Sequence, residues 1–111
     1  MKPETKLMRQ ILSALRKRGV YARRIAGSNY QHVGLPDIWC CVDGKLICLE
    51  VKTETGRLSK IQKLEIERIR RAGGIAEVVR SVDQAIGLVE VKRRVVARAA
   101  PATPPVRHIL G

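Results

Sequence analysis

Two β-rich runs, 37–42 and 45–52, are separated by nothing but the dipeptide Asp43-Gly44. Both residues tolerate the positive φ angles that a two-residue type I′ turn demands, so the runs are predicted to close into an antiparallel hairpin. A turn of that length leaves no freedom in the register. Val42 then faces Lys45, Trp39 faces Cys48, and Asp37 faces Glu50. Directly opposed side chains have Cβ atoms about 4.5–5.5 Å apart, and like charges in that position are destabilising. Lys52 lies two residues beyond Glu50 and shares its face by strand alternation, roughly 7 Å further along at about 3.3 Å per residue. The hairpin therefore gathers two carboxylates and one ammonium at one end.

The rest of the chain reads as partners for that hairpin. Leu7, Ile11, Leu12 and Leu15 recur at helical spacing across 4–18, with Lys6, Arg9, Arg16 and Lys17 on the other side. Residues 20–25 are strand-like, and 26–36 form a polar loop with Gly27, Ser28, Asn29, Gly34 and Pro36. Ser59 with Gln62 has the spacing of a capping box and opens a helix that Gly73-Gly74 ends. A strand follows at 75–80, and Ser81 with Gln84 opens a third helix reaching about residue 95. The run Leu46-Ile47-Cys48-Leu49 lacks polar alternation, as a strand covered on both faces does. The expectation is an α/β fold: three layers, α/β/α, around a central mixed sheet, in the order α-β-β-β-α-β-α. One domain over 1–96 fills the length, followed by an Ala/Pro-rich, flexible tail over 97–111.

Charge points to the partner. With 22 Lys+Arg against 10 Asp+Glu the chain carries a net +12, more than solubility asks for. Clustered cations of this kind favour a polyanion, because phosphate contacts release counterions. Aromatics are only 3% of the residues, so the stacking platforms of single-strand binders are missing. No apolar run approaches the roughly 18 residues of a membrane span, and Lys2, Glu4 and Lys6 do not read as a secretion signal. Cys40, Cys41 and Cys48 lack zinc-ligand spacing and read as reduced, buried, intracellular thiols.

A carboxylate pair at one end of a hairpin needs something to offset its repulsion. A salt-bridge cluster of Asp37, Glu50 and Lys52 on an exposed face is one reading. A shared divalent cation is the other, and hard oxygen ligands with open water positions suit Mg²⁺ or Mn²⁺. The second is favoured because Glu50 and Lys52 interrupt an apolar strand. An ion beside an ammonium has a use in phosphodiester hydrolysis, where it polarises a phosphoryl oxygen and acidifies water.

The stretch Gly34-Leu35-Pro36-Asp37, then Leu49-Glu50-Val51-Lys52, then Gly56-Arg57-Leu58-Ser59 with Gln62, resembles the PD-(D/E)xK nuclease superfamily and within it the VRR-NUC domain family. Val78-Val79-Arg80 falls where that family places its late strand, and the likeness extends over about 4–89. It implies a restriction-endonuclease-like fold and cleavage of branched or flapped DNA, such as a Holliday junction. It further implies Asp37 and Glu50 as metal ligands, the main-chain carbonyl of Val51 as another, and Lys52 as the catalytic lysine. Stand-alone, phage- and bacterial-type members resemble dimeric Holliday-junction resolvases, so the chain is expected to be a cytoplasmic homodimer that needs no small-molecule cofactor.

Gln62 falls on the apolar side of its helix, with Ile66 and Ile69, and is either a buried amide bonded to backbone or a site residue; the resemblance selects the site. Family members carry a Glu in the first helix that approaches the metal, which makes Glu4 a catalytic candidate, although a first-turn Glu also suits the helix dipole. Arg23, Arg24, Lys60 and Lys63, with Arg70 and Arg71, are candidates for a phosphate track. His32 and Tyr30 are weaker candidates for DNA contact, and Trp39 reads as core. Val89, Val91, Val95 and Val96 are the apolar residues expected at a dimer interface. Two rival readings stand beside the nuclease: a non-catalytic basic nucleic-acid-binding module, and a sequence-specific restriction-type nuclease. So short a chain leaves no insert for reading base edges, which counts against the second rival.

Overall fold

The computed structural model describes the backbone of residues 1–25 and 33–99, with side chains up to 93. Helix α1 (Pro3–Lys17) leads into β1 (Tyr21–Arg24), β2 (Ile38–Val42) and β3 (Lys45–Val51), then α2 (Lys60–Arg71), β4 (Ile75–Val79) and α3 (Val82–Ala99). The four strands form one sheet in the order β1-β2-β3-β4. The first two pairings are antiparallel and β3 with β4 is parallel. Asp43 and Gly44 adopt φ of 47° and 83°, the left-handed pair a type I′ turn requires. Trp39 accordingly pairs with Cys48, and Ile38 with Leu49.

Alternation along the strands sends side chains to two cores. Ile38, Cys40, Ile47, Leu49, Val51 and Val79 meet Met8, Ile11 and Leu15 of α1 and Ala85 and Val89 of α3. On the opposite face Cys48 and Ala76 meet Ile66 of α2, with Trp39, Leu58, Ile69 and Val78 around them. The result is the mixed-sheet, three-layer α/β/α arrangement. At least fifteen fully sequestered apolar side chains on the first face make α1 and α3 the principal cover of the sheet.

Three expectations need correction. Helix α3 continues to Ala99, past residue 95, because Val95 to Ala99 contains no breaker and alanine is the best helix former; Pro101 is the next stop signal. Val89 is fully buried against α1, since its place on the helix faces the core, so it cannot serve an interface. Cys41 is exposed, unlike Cys40 and Cys48, because adjacent residues of a strand face opposite ways and α2 packs over the β4 side of the sheet. Val91 is half exposed at 50%; Val95 and Val96, like the 100–111 segment, lie outside the described side chains. Among the described residues no helix is long and apolar enough to cross a membrane.

Candidate active site

Three elements converge at the end of the sheet away from the hairpin turn. β2 begins one residue after Asp37, β3 ends with Glu50 and Val51, and the N-terminus of α1 brings in Glu4. One carboxylate oxygen from each of Glu4, Asp37 and Glu50 lies within 4.8 Å of the others. Lys52 Nζ sits 3.6 Å from Glu4 Oε1 and 3.7 Å from Glu50 Oε1, so the ammonium lies between two of the three acids. Glu50 is 1% exposed and Lys52 8%, burial that a surface salt-bridge cluster would not show.

Each acid is held differently. Asp37 Oδ2 accepts the Val51 N–H at 2.8 Å, which ties the start of β2 to the end of β3. Glu50 Oε1 accepts from Gln62 Nε2 at 2.9 Å, while Glu50 Oε2 is buried without a partner among the described residues. Glu4 is partly exposed; Pro3 at the head of α1 fixes where the helix begins and so where Glu4 points. Lys2, Glu4, Thr5, Met8, Arg24 and Asp37 line a cleft of about 250 Å³.

The electrostatics follow from that crowding. Burial first, then the Asp37 charge, push the Glu50 carboxyl up to about 8, against which Lys52 pulls only partly. Asp37 is also raised, again chiefly by burial, with the Val51 N–H opposing. Without a cation Glu50 thus keeps its proton up to about pH 8, with the neighbouring Asp37 carboxylate favouring that proton. A divalent cation would replace that proton, and the orphaned Glu50 Oε2 is the kind of oxygen a hard cation needs.

Gln62 bonds both to backbone and to a candidate site residue. Its amide oxygen accepts the Ser59 N–H at 2.9 Å and its backbone N–H donates to Ser59 Oγ at 3.1 Å, completing the capping box that starts α2. The amide nitrogen is left free to reach Glu50. Of the basic candidates, Arg24 lines the cleft, Lys60 and Lys63 are exposed on the first turn of α2, and Arg23 is exposed with its guanidinium 4.4 Å over the Tyr21 ring. Arg70 is otherwise engaged: it donates to Ala76 O and Glu77, fastening α2 to β4. Arg71 is exposed at the far end of α2, and Trp39 packs in the α2-side core. Tyr30 and His32 lie outside the described residues. The sequence reading missed Lys2 and the Val51 amide. Lys2 was detectable, because it immediately precedes the Pro3 that starts α1; the Val51 bond was not, since it depends on a backbone approach of two strand ends.

The family model for the archaeal Holliday junction resolvase (Hjc) matches residues 5–78, a span holding Asp37, Glu50, Lys52 and Gln62. A solved VRR_NUC domain is similar at a TM-score of 0.68 and 25% identity, covering 81% of this chain and 97% of that one. The Hjc of Archaeoglobus fulgidus, a Holliday junction resolvase from an archaeal hyperthermophile, is similar at a TM-score of 0.55 and 27% identity, covering 69% of this chain and 67% of that one. No curated protein matches. With a family model spanning more than half of its residues and the restriction-endonuclease-like fold shared with the VRR_NUC domain, the chain belongs to the archaeal Holliday junction resolvase family.

Proposed function

We propose that the chain is a metal-dependent endonuclease that hydrolyses phosphodiester bonds in branched DNA, Holliday junctions or flaps, and acts as a homodimer. The observation that carries this reading is the buried Glu50 beside Asp37, with Lys52 wedged against it and one Glu50 oxygen left without a partner among the described residues. Asp37 and Glu50 would hold a Mg²⁺ or Mn²⁺ ion, with Glu4 beside them and, by family resemblance, the carbonyl of Val51. When bound, such an ion supplies Lewis acidity to a phosphoryl oxygen and to water.

The chain's own groups do the rest. The Lys52 ammonium, largely withdrawn from water, stabilises charge building up on the phosphoryl oxygens, and is worth more there than on the surface. Gln62 holds the Glu50 carboxylate in one orientation through its amide nitrogen, and Val51 does the same for Asp37 through its N–H. Arg24 and Lys2, which line the cleft, and the exposed Arg23, Lys60 and Lys63 are the cations offered to the phosphates on either side of the scissile bond. One such site nicks one strand; two symmetric cuts across a four-way junction require two sites at fixed separation, which a two-fold dimer provides.

Incubating the protein with labelled linear duplex, flap, splayed and four-way DNA in Mg²⁺, Mn²⁺ or EDTA tests the reading. Cleavage of branched substrates that EDTA abolishes is expected. Binding without cleavage of any substrate in either metal would replace the nuclease with a nucleic-acid-binding module.

A further inference from the structure

Lys52, one residue past the end of β3, is still held by the sheet: its N–H donates to Val79 O at 3.0 Å, just beyond the parallel β3–β4 ladder. The chain then folds back at once, with Gly56 N donating to Thr53 O at 3.1 Å. A turn lying immediately after a buried lysine fixes where its stem leaves the backbone. How that turn is held is therefore a question about the ammonium as well.

It is held from β4. Arg80, the residue after the last β4 position, sends Nη1 to Thr53 O at 2.7 Å and to Gly56 O at 2.7 Å, with Glu54 O at 3.5 Å. One guanidinium nitrogen thus spans both ends of the turn. Arg80 is itself fixed, because its backbone N–H donates to Gln84 Oε1 at 2.7 Å at the start of α3. The turn lies close on the lysine stem: a methyl group at Gly56 would stand 3.2 Å from Thr53 Oγ1 and 3.5 Å from Lys52 Cβ. Charge-assisted bonds to carbonyls are about twice as strong as neutral ones, and a planar fork loses little freedom in making them.

We infer that Arg80 is a positioning residue for the proposed nuclease reaction: by clamping the turn at Thr53 and Gly56 it holds the Lys52 ammonium between Glu50 and Glu4. The inference rests on the proposed function for its catalytic consequence, but not for its structural one. Arg80 touches neither the acids nor the cleft. It acts through the backbone of the turn.

Two readouts on one set of variants test it. In protein with ¹⁵N-labelled lysine, Arg80→Ala should shift or broaden the Lys52 Nζ signal, while the backbone amides of Cys48 to Val51 stay in place. In single-turnover cleavage of a four-way junction, Arg80→Ala should slow the reaction about 10- to 100-fold, the scale of a misplaced catalytic group. DNA affinity and the thermal shift produced by Mn²⁺ should be unchanged. Millimolar guanidinium should recover part of the rate by refilling the carbonyl cup, and Arg80→Lys, which keeps the charge and folding safety but not the fork, should fall between. A Lys52 signal that does not move in Arg80→Ala would overturn the inference. So would an equal loss of Mn²⁺ stabilisation, because that would mean a collapsed site instead of a displaced lysine. If the wild-type protein cuts nothing, the proposed function fails, and the Lys52 signal alone decides the clamp.

Discussion

Replacing Glu50 with Gln should make the metal-free protein more stable at pH 8 while removing its response to metal. Glu50 is 1% exposed and its carboxyl is pushed from 4.5 to about 8, first by burial and then by Asp37. A carboxyl whose pKa is raised on folding contributes stability that is complete below its unfolded value and is lost as pH rises through the folded one. The wild-type, metal-free protein should therefore weaken between about pH 4.5 and pH 8. At about 1.36 kcal/mol per unit the ceiling is about 5 kcal/mol, and sharing the proton with Asp37 brings the expected loss to about 2–4 kcal/mol. The amide of Glu50→Gln has no charge to bury, can still accept from Gln62, and can donate to Asp37. Thermal unfolding with and without Mn²⁺ at pH 5 and pH 8 checks this. At pH 8 and without metal the variant should melt about 10 °C or more above the wild type, at roughly 4–8 °C per kcal/mol for a domain this small, and the two should nearly coincide at pH 5. Mn²⁺ should raise the wild type more at pH 8 than at pH 5, because the proton on Glu50 competes less there, and the variant hardly at all. A wild type whose metal-free stability is flat from pH 5 to pH 8, with Glu50→Gln less stable at both, would refute the account of the pair.

Other expectations follow from single contacts. Ser59→Ala removes the cap of α2 and should cost about 1 kcal/mol in denaturant unfolding. Cleavage should change little, since the backbone N–H of residue 59 that holds the Gln62 amide oxygen survives the substitution. Gly34→Ala forces a side chain into φ +89° and sets its methyl 2.5 Å from Ile61 Cγ2, so a loss on the order of 2 kcal/mol in melting or urea titration is expected. Leu15→Ala empties a fully buried position between α1 and the sheet and should cost about 2–5 kcal/mol. Light scattering at micromolar protein with junction DNA should report a dimer; a persistent monomer that cuts linear duplex equally well would remove both the dimer and the branch preference.

What the sequence disclosed, it disclosed through local rules. A two-residue turn and strand alternation suffice to set Asp37 opposite Glu50 and Lys52 on their face, because both rules act over a few residues. The capping spacing placed α2, but not the second hydrogen bond by which Gln62 reaches across to Glu50. The parallel β3–β4 pairing joins segments separated by a helix, so nothing local announces that Val79 holds Lys52 or that Arg80 closes the turn behind it. The interface expectation groups Val89 with Val91, although residues two apart do not share a helix face; the packing of α3 on α1 buries the first and leaves the second exposed. Cys41 shows the same limit, since its exposure depends on which part of the sheet α2 covers.

The central claim is that Asp37, Glu50 and Lys52 do chemistry on DNA and do not merely sit beside it. The most direct measurement is single-turnover cleavage of a labelled four-way junction by wild type and Lys52→Ala in Mn²⁺, paired with DNA affinity for both in low salt without metal. The account predicts cleavage by the wild type, none by Lys52→Ala, and affinities that agree within a small factor, because Lys52 acts on charge that develops only in the transition state. Retained cleavage by Lys52→Ala, or binding lost in proportion to cleavage, would contradict it.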